Sequence, residues 1–148
     1  MGIEVSTLVK WGASVCLGVD KQDIFFILRL MVTKQTSRMR RLRKEADKLW
    51  FDACLHHWGE LCICGKPAVQ VHHFYPKGQF GHLRYVIDNG VPICQGCHLR
   101  VTNPNFVLKV IELRGKEWHD KLFEMTKQKP ASFRNVGWYQ DLIEELKQ

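Results

Sequence analysis

The sequence predicts an α+β fold: a small hairpin-and-helix core between a long basic helix and a helical C-terminal segment. Three observations predict it. Apolar residues recur at spacings of three and four on both sides of a central stretch. The central stretch instead alternates apolar and polar residues between Pro and Gly, the pattern of short strands and turns. Cysteine and histidine also concentrate there: five of the six Cys and six of the seven His lie between Cys54 and His98.

Taken in order, residues 1–30 balance Lys10, Lys21 and Arg29 against Glu4, Asp20 and Asp23, and carry no motif. Met31 opens a segment of different composition. Two readings stand for residues 1–30: an extension upstream of a natural start at Met31, or a short strand or hairpin packed on the body. Residues 31–59 predict a basic amphipathic helix, whose periodic part is 34–58. Met39, Leu42, Ala46, Leu49, Trp50 and Ala53 make its apolar stripe, and Gly59 stops it. Lys34, Arg38, Arg40, Arg41, Arg43 and Lys44 are six cations within eleven residues that hold no acid, against a net charge of +7. Such a run is either a solvated helix face or a surface for phosphates, and a basic balance favours nucleic acid as partner.

Residues 60–103 predict the core. Gly65 and Pro67 mark a turn, and Val69–His72 alternates as a strand. Residues 74–90 form a loop, Val91–Ile93 fits a second strand that Pro92 confines to an edge, and a helix follows from about Gln95. In residues 104–148, Asn103-Pro104 reads as an N-cap with Pro in the first turn, and Gly115 ends that helix. Two more helices cover 116–127 and 136–147, the last with Trp138, Leu142, Ile143 and Leu146 on one face. These helices complete the core and leave room for a homodimer surface.

With 148 residues the chain can bury a real core, so folding alone demands neither metal nor disulfide. Six Cys at this length are too dilute for a disulfide scaffold. No apolar run approaches a membrane span; Ile24–Leu28 is stopped by Arg29. Acids precede that run, where a signal peptide carries cations. These features predict a cytoplasmic protein without a membrane partner.

The cysteine spacing points to a metal. Cys94-Gln95-Gly96-Cys97 is a CxxC knuckle, and Cys62-Ile63-Cys64 supplies a second pair about 30 residues upstream, enough thiolates for a closed tetrahedral Zn²⁺ site. The first pair is one residue short of the usual knuckle, so Cys54 or His57 could replace a ligand. Buried free thiols are the competing reading. Between the pairs lie His72-His73, Asn89 and then His98. Adjacent strand residues face opposite ways, so His72 and His73 share a task only if the strand ends or bends there.

The residues "AVQVHHFYPKG…YVIDNGVPICQGCH" resemble the HNH endonuclease motif in its zinc-binding form. The resemblance implies a ββα-metal core over about 40 residues. It implies a general base at His73, with Asn89 bracing the loop and orienting that base. It implies His72 and His98 as ligands of a catalytic Mg²⁺ or Mn²⁺, and Cys62, Cys64, Cys94 and Cys97 as ligands of a structural Zn²⁺. The substrate implied is DNA, cut to leave a 5′-phosphate and a 3′-hydroxyl. Cys54, His56 and His57 fall outside the motif and read as helix packing. Lys77, Arg84 and His82 lie in the loop, where the first two could reach a phosphate and His82 could be a further ligand or simply exposed.

A narrower resemblance covers "HLRYVIDNGVPICQGCHLRVTNPNFVLKVIELRGKEWHDKLFEM", which is similar to the lambdoid phage Rap/NinG recombination nucleases. It implies a phage-type protein acting on branched DNA. The departures are CxC for CxxC and His98 where that family can carry Asn. A zinc-ribbon DNA-binding module without catalysis and a general nicking or homing-type HNH nuclease remain as alternatives.

Overall fold

The computed structural model describes residues 20–128 and 134–148. The chain divides into two compact units, Met1–Thr36 and Ser37–Gln148. Helix α1 (Lys21–Trp58) opens in the first. The Asp20 carboxylate accepts from Gln22 N, and its carbonyl accepts from Asp23 N and Ile24 N, so Asp20 starts the helix. The apolar side chains from Ile24 to Val32 are exposed.

The helix therefore starts well before residue 34. Residues 21–30 are helical rather than a strand or hairpin, and residues 1–19 of the extension lie outside the described residues. No Gly or Pro interrupts the chain from Lys21 to Trp58. The composition break at Met31 changes which side chains are charged, not what the backbone can do. Gly59, at φ 86°, ends α1 where the sequence predicts, with its N–H donating to Leu55 O.

The second unit holds two apolar clusters. One joins α1 to α5 (Val136–Leu146) through Leu42, Ala46, Trp50, Cys54, Tyr139 and Ile143, with Tyr85 from the loop. Tyr139 is more buried than Trp138, Leu142 or Leu146, so the face of α5 is turned slightly from the one predicted. The other cluster packs the hairpin on α3 (Pro104–Arg114) and α4 (Lys116–Thr126), through Val91, Ile93, Phe106, Val110, Trp118 and Leu122.

The hairpin is β1 (Gln70–His73) antiparallel to β2 (Gly90–Ile93), with Val71 opposite Pro92 and His73 opposite Gly90. Among the described residues it is a two-stranded sheet, so both strands are edges and Pro92 costs no ladder bond. A short helix α2 (Gln95–His98) follows directly. Asn103 caps α3 by accepting from Asn105 N at 2.9 Å, and Asn135 caps α5 by accepting from Trp138 N at 2.8 Å. Among the described residues no helix is long and apolar enough to cross a membrane.

Candidate metal centre and histidine site

The four cysteines of the two pairs converge. Cys62 N donates to Lys66 O and Gly65 N to Cys62 O, both at 2.8 Å. Gly65 holds φ 80°, which lets the short CxC turn fold back on itself. Cys94 stands just before α2 and Cys97 within it. All four sulfurs lie within 4.8 Å of one another, with Cys64 Sγ 3.5 Å from Cys62 Sγ and 3.7 Å from Cys94 Sγ. A tetrahedral zinc with Zn–S of about 2.3 Å spaces its sulfurs about 3.8 Å apart, so the donor set fits the ion.

The thiols differ in acidity. The Lys66 N–H, then the Cys62 side chain, draw Cys64 down to about 6. Burial, then three neighbouring thiols, push Cys97 up to about 12. A central cation is what would let all four ionise together. Cys54 and His57 take no part. Cys54 is buried with its sulfur 3.8 Å from Ile87 O. His57 is exposed and lines a cavity of about 840 Å³ with Trp138 and Leu142. Of the three residues read as helix packing, Cys54 is buried in the core, His57 is exposed with its ring edge-on to Trp58 at 4.6 Å, and His56 is exposed.

The strand ends at His73, and the contacts of the two adjacent histidines diverge. The His72 ring lies 5.8 Å from that of His98 at 71°, and 6.4 Å from Phe106. Burial, then the nearby His98 and His73, hold His72 down to about 4, so its imidazole is neutral at pH 7. His73 instead stacks on Trp50, centroids 4.3 Å apart at 14°. Its Nε2 is 2.9 Å from the Arg84 carbonyl oxygen. A carbonyl can only accept, so Nε2 carries the hydrogen and Nδ1 is the free acceptor of the neutral ring. Burial lowers the pKa of His73, and the bond to the Arg84 carbonyl works against that.

Asn89 is fully buried, and its side chain bonds only to loop backbone. Oδ1 accepts from Tyr75 N at 2.7 Å, and Nδ2 donates to Tyr75 O and Leu83 O at 3.1 and 3.0 Å. Three indoles pin the same loop from outside. Trp50, Trp58 and Trp118 donate Nε1–H to the carbonyls of Val86, Ile87 and Asp88, each at 3.1 Å. Arg114 lies 3.7 Å from the Trp58 ring and donates to Asp88 O and Gly90 O. None of these anchors belongs to the Cys/His motif; the only sequence signal is an unusual five Trp.

The loop cations separate. Arg84 is buried and its guanidinium is paired with Asp47 of α1, whereas Lys77 is exposed. His82 is half-buried and bonds to Met125 O through Nε2 at 3.0 Å, so it is neither simply exposed nor grouped with His72 and His98. On α1, Arg38, Arg40, Arg41, Arg43 and Lys44 are exposed while Leu42 between them is buried. Lys34 is also exposed and belongs to the first unit.

Residues 62–104 match the family described as HNH endonuclease. The matched span begins at Cys62 and ends at the first residue of α3, so it contains all four clustered thiols, both strands and His72, His73 and His98. The match and the thiol cluster together support a zinc-binding nuclease fold of the HNH superfamily, and the small α+β core is consistent with a ββα-metal arrangement. No curated protein and no solved structure matches the chain, so no relative ties it to the Rap/NinG group.

Proposed function

We propose that the chain is a metal-dependent DNA endonuclease in which His73 is the general base and His72 and His98 hold the catalytic ion. The single observation that carries this reading is the arrangement of the three histidines inside the HNH match. His72 and His98 come together, while His73, next to His72 in the chain, turns to Trp50 and the Arg84 carbonyl and keeps a free Nδ1. Two imidazoles sharing one ion can meet this ring spacing, since each ring nitrogen stands about 2 Å from its metal. When bound there, a divalent ion supplies charge relief at the phosphoryl oxygens.

The chain's own residues do the rest. Burial keeps His73 neutral at pH 7, so Nδ1 can take the proton of the attacking water. Asn89 fixes the loop that carries the Arg84 carbonyl, and that carbonyl sets the tautomer. Arg38, Arg40, Arg41, Arg43, Lys44 and Lys34 contact phosphates, each contact contributing to a log–log salt slope of about −0.9. Imidazole donors suit transition ions better than Mg²⁺, so Mn²⁺ supports the faster cleavage. The resemblance of residues 82–125 to the Rap/NinG group favours branched DNA and a phage-type role in recombination, working as a homodimer if both strands are cut.

His73→Ala tests the reading. The expected loss in kcat is about 10²–10⁴-fold, with zinc content and DNA binding intact. Binding without cleavage by the wild type, with either ion, would leave a zinc-ribbon binding module instead. A panel of linear duplex, single strand, D-loop and four-way junction sorts the substrate; equal cutting of linear duplex removes the recombination role.

A further inference from the structure

We propose that α1 forms the outer wall of this active site, with Asp47 and Trp50 as positioning residues that hold His73 in its working orientation. The proposal rests on the nuclease reading above. Both residues lie outside the matched span, so the HNH motif does not supply them.

A single hydrogen bond from Nε2–H to the Arg84 carbonyl fixes the tautomer of His73 but not its tilt. The ring can still pivot about the Nε2···O line. Trp50 removes that freedom by covering one face of the imidazole at 4.3 Å. Trp50 is itself fixed, because its indole N–H donates to Val86 O at 3.1 Å.

The carbonyl needs an anchor as well, since it belongs to a loop. Arg84 provides it. Its guanidinium meets Asp47 two-pronged, Nε and Nη2 donating to Oδ1 at 3.1 and 2.9 Å and Nη2 to Oδ2 at 2.9 Å. The Arg84 side chain is 9% exposed and that of Asp47 42%. Asp47 and Trp50 stand one turn apart on α1 and grip residues 84 and 86 of one loop, so the two grips act on one imidazole.

A purely structural role explains this arrangement less well. Burying a guanidinium costs desolvation that a single carboxylate offsets only in part, and an apolar pair holds a loop at least as firmly. A forked ion pair adds direction, which is what a base requires and a core does not.

The test uses full-length, zinc-loaded protein with Mn²⁺ and the best DNA of the substrate panel. Asp47→Ala is expected to lower kcat about 10–100-fold with KM within about twofold. Asp47→Asn, which keeps an acceptor for Arg84, recovers part of that loss. Trp50→Phe preserves an aromatic face and most of kcat, whereas Trp50→Leu loses about tenfold or more. If Trp50→Leu does not fold, the half-exposed Asp47 carries the test alone.

An unchanged kcat in Asp47→Ala, or a change in KM only, overturns the clamp and leaves the nuclease reading standing. If the wild type cleaves nothing, the nuclease reading fails. The clamp is then judged by NMR, as the upfield ring-current shift that Trp50 imposes on the His73 ring protons. Loss of that shift in Asp47→Ala supports the clamp, and its persistence overturns it.

Discussion

The thiol cluster and the histidine pair share one hairpin and one short helix, and Cys97 and His98 are neighbours in the chain. They nevertheless suit different chemistry. The thiols bring four soft donors to one point, a complete tetrahedron with no position left for a reactant. The rings of His72 and His98 bring only two imidazoles together, 5.8 Å apart, so an ion held there as proposed would keep its remaining positions open. On the proposed reading, a fold-keeping metal site and a reactive one differ in the number of donors that converge, not in the element that carries them.

Removing the thiol site breaks this comparison most severely. Structural zinc in small sites contributes on the order of 10–16 kcal/mol of apparent binding energy to folding. Wild type is expected to hold one zinc per chain, and Cys94→Ser or a strong chelator to remove it. Melting should then fall by more than about 10 °C, followed by calorimetry with metal analysis. A melting point unmoved by zinc removal would show that the apolar clusters alone hold the hairpin.

Gly90→Ala acts on the join between α1 and the hairpin. A Cβ there would lie 2.3 Å from Cys54 Sγ, 3.0 Å from Val71 Cγ1 and 3.1 Å from Trp50 Cζ2. Overpacking of this kind costs about 1–3 kcal/mol. Adding Cys54→Ala should recover part of it in denaturant titration, because the nearest atom is gone. A fully neutral Gly90→Ala would mean that α1 can shift away without strain.

The histidine side has a smaller effect, with a defined sign. The His72 pKa lies near 4 in the fold and 6.5 in the open chain, with burial as the main cause. The unfolded chain therefore takes up the proton first, and stability falls as pH drops from 6.5 towards 4. Below both values the loss stops growing. Denaturation at several pH values should show this slope weakened in His72→Gln relative to wild type; equal slopes would place the acid sensitivity elsewhere.

The mildest probe is alkylation of metal-free protein. Cys64 is exposed and thiolate above about pH 6, whereas burial pushes Cys54 up to about 12. Among the five cysteines of the described residues, mapping of labelled sites near pH 7.5 should find Cys64 modified first, and Cys54 only after unfolding. Early labelling of Cys54 would contradict its packing beneath Gly90.

Local rules made a good part of the fold legible. Asn103-Pro104 and Gly115 bound α3 as predicted, because caps act within one turn of backbone. The hairpin appears with Pro92 on an edge, because a missing N–H cannot be hidden in a ladder. The start of α1 differs from the predicted one because a change of side-chain charge resembles a boundary without altering what the backbone can do. The role of Arg84 stayed open in the sequence because a loop cation carries no sign of the Asp47 that pairs with it.

The thiol cluster was readable in one dimension because a four-thiolate site restricts ligand type and spacing, and those spacings survive in the string of residues. Tertiary structure alone decided which way each histidine faces and what holds it there. Asp47 and Trp50 lie more than twenty positions before His73. They reach it only because α1 packs beside the loop at Val86. Stacking and ion pairing depend on distance in space, and nothing in residue order encodes that distance until the helix is packed.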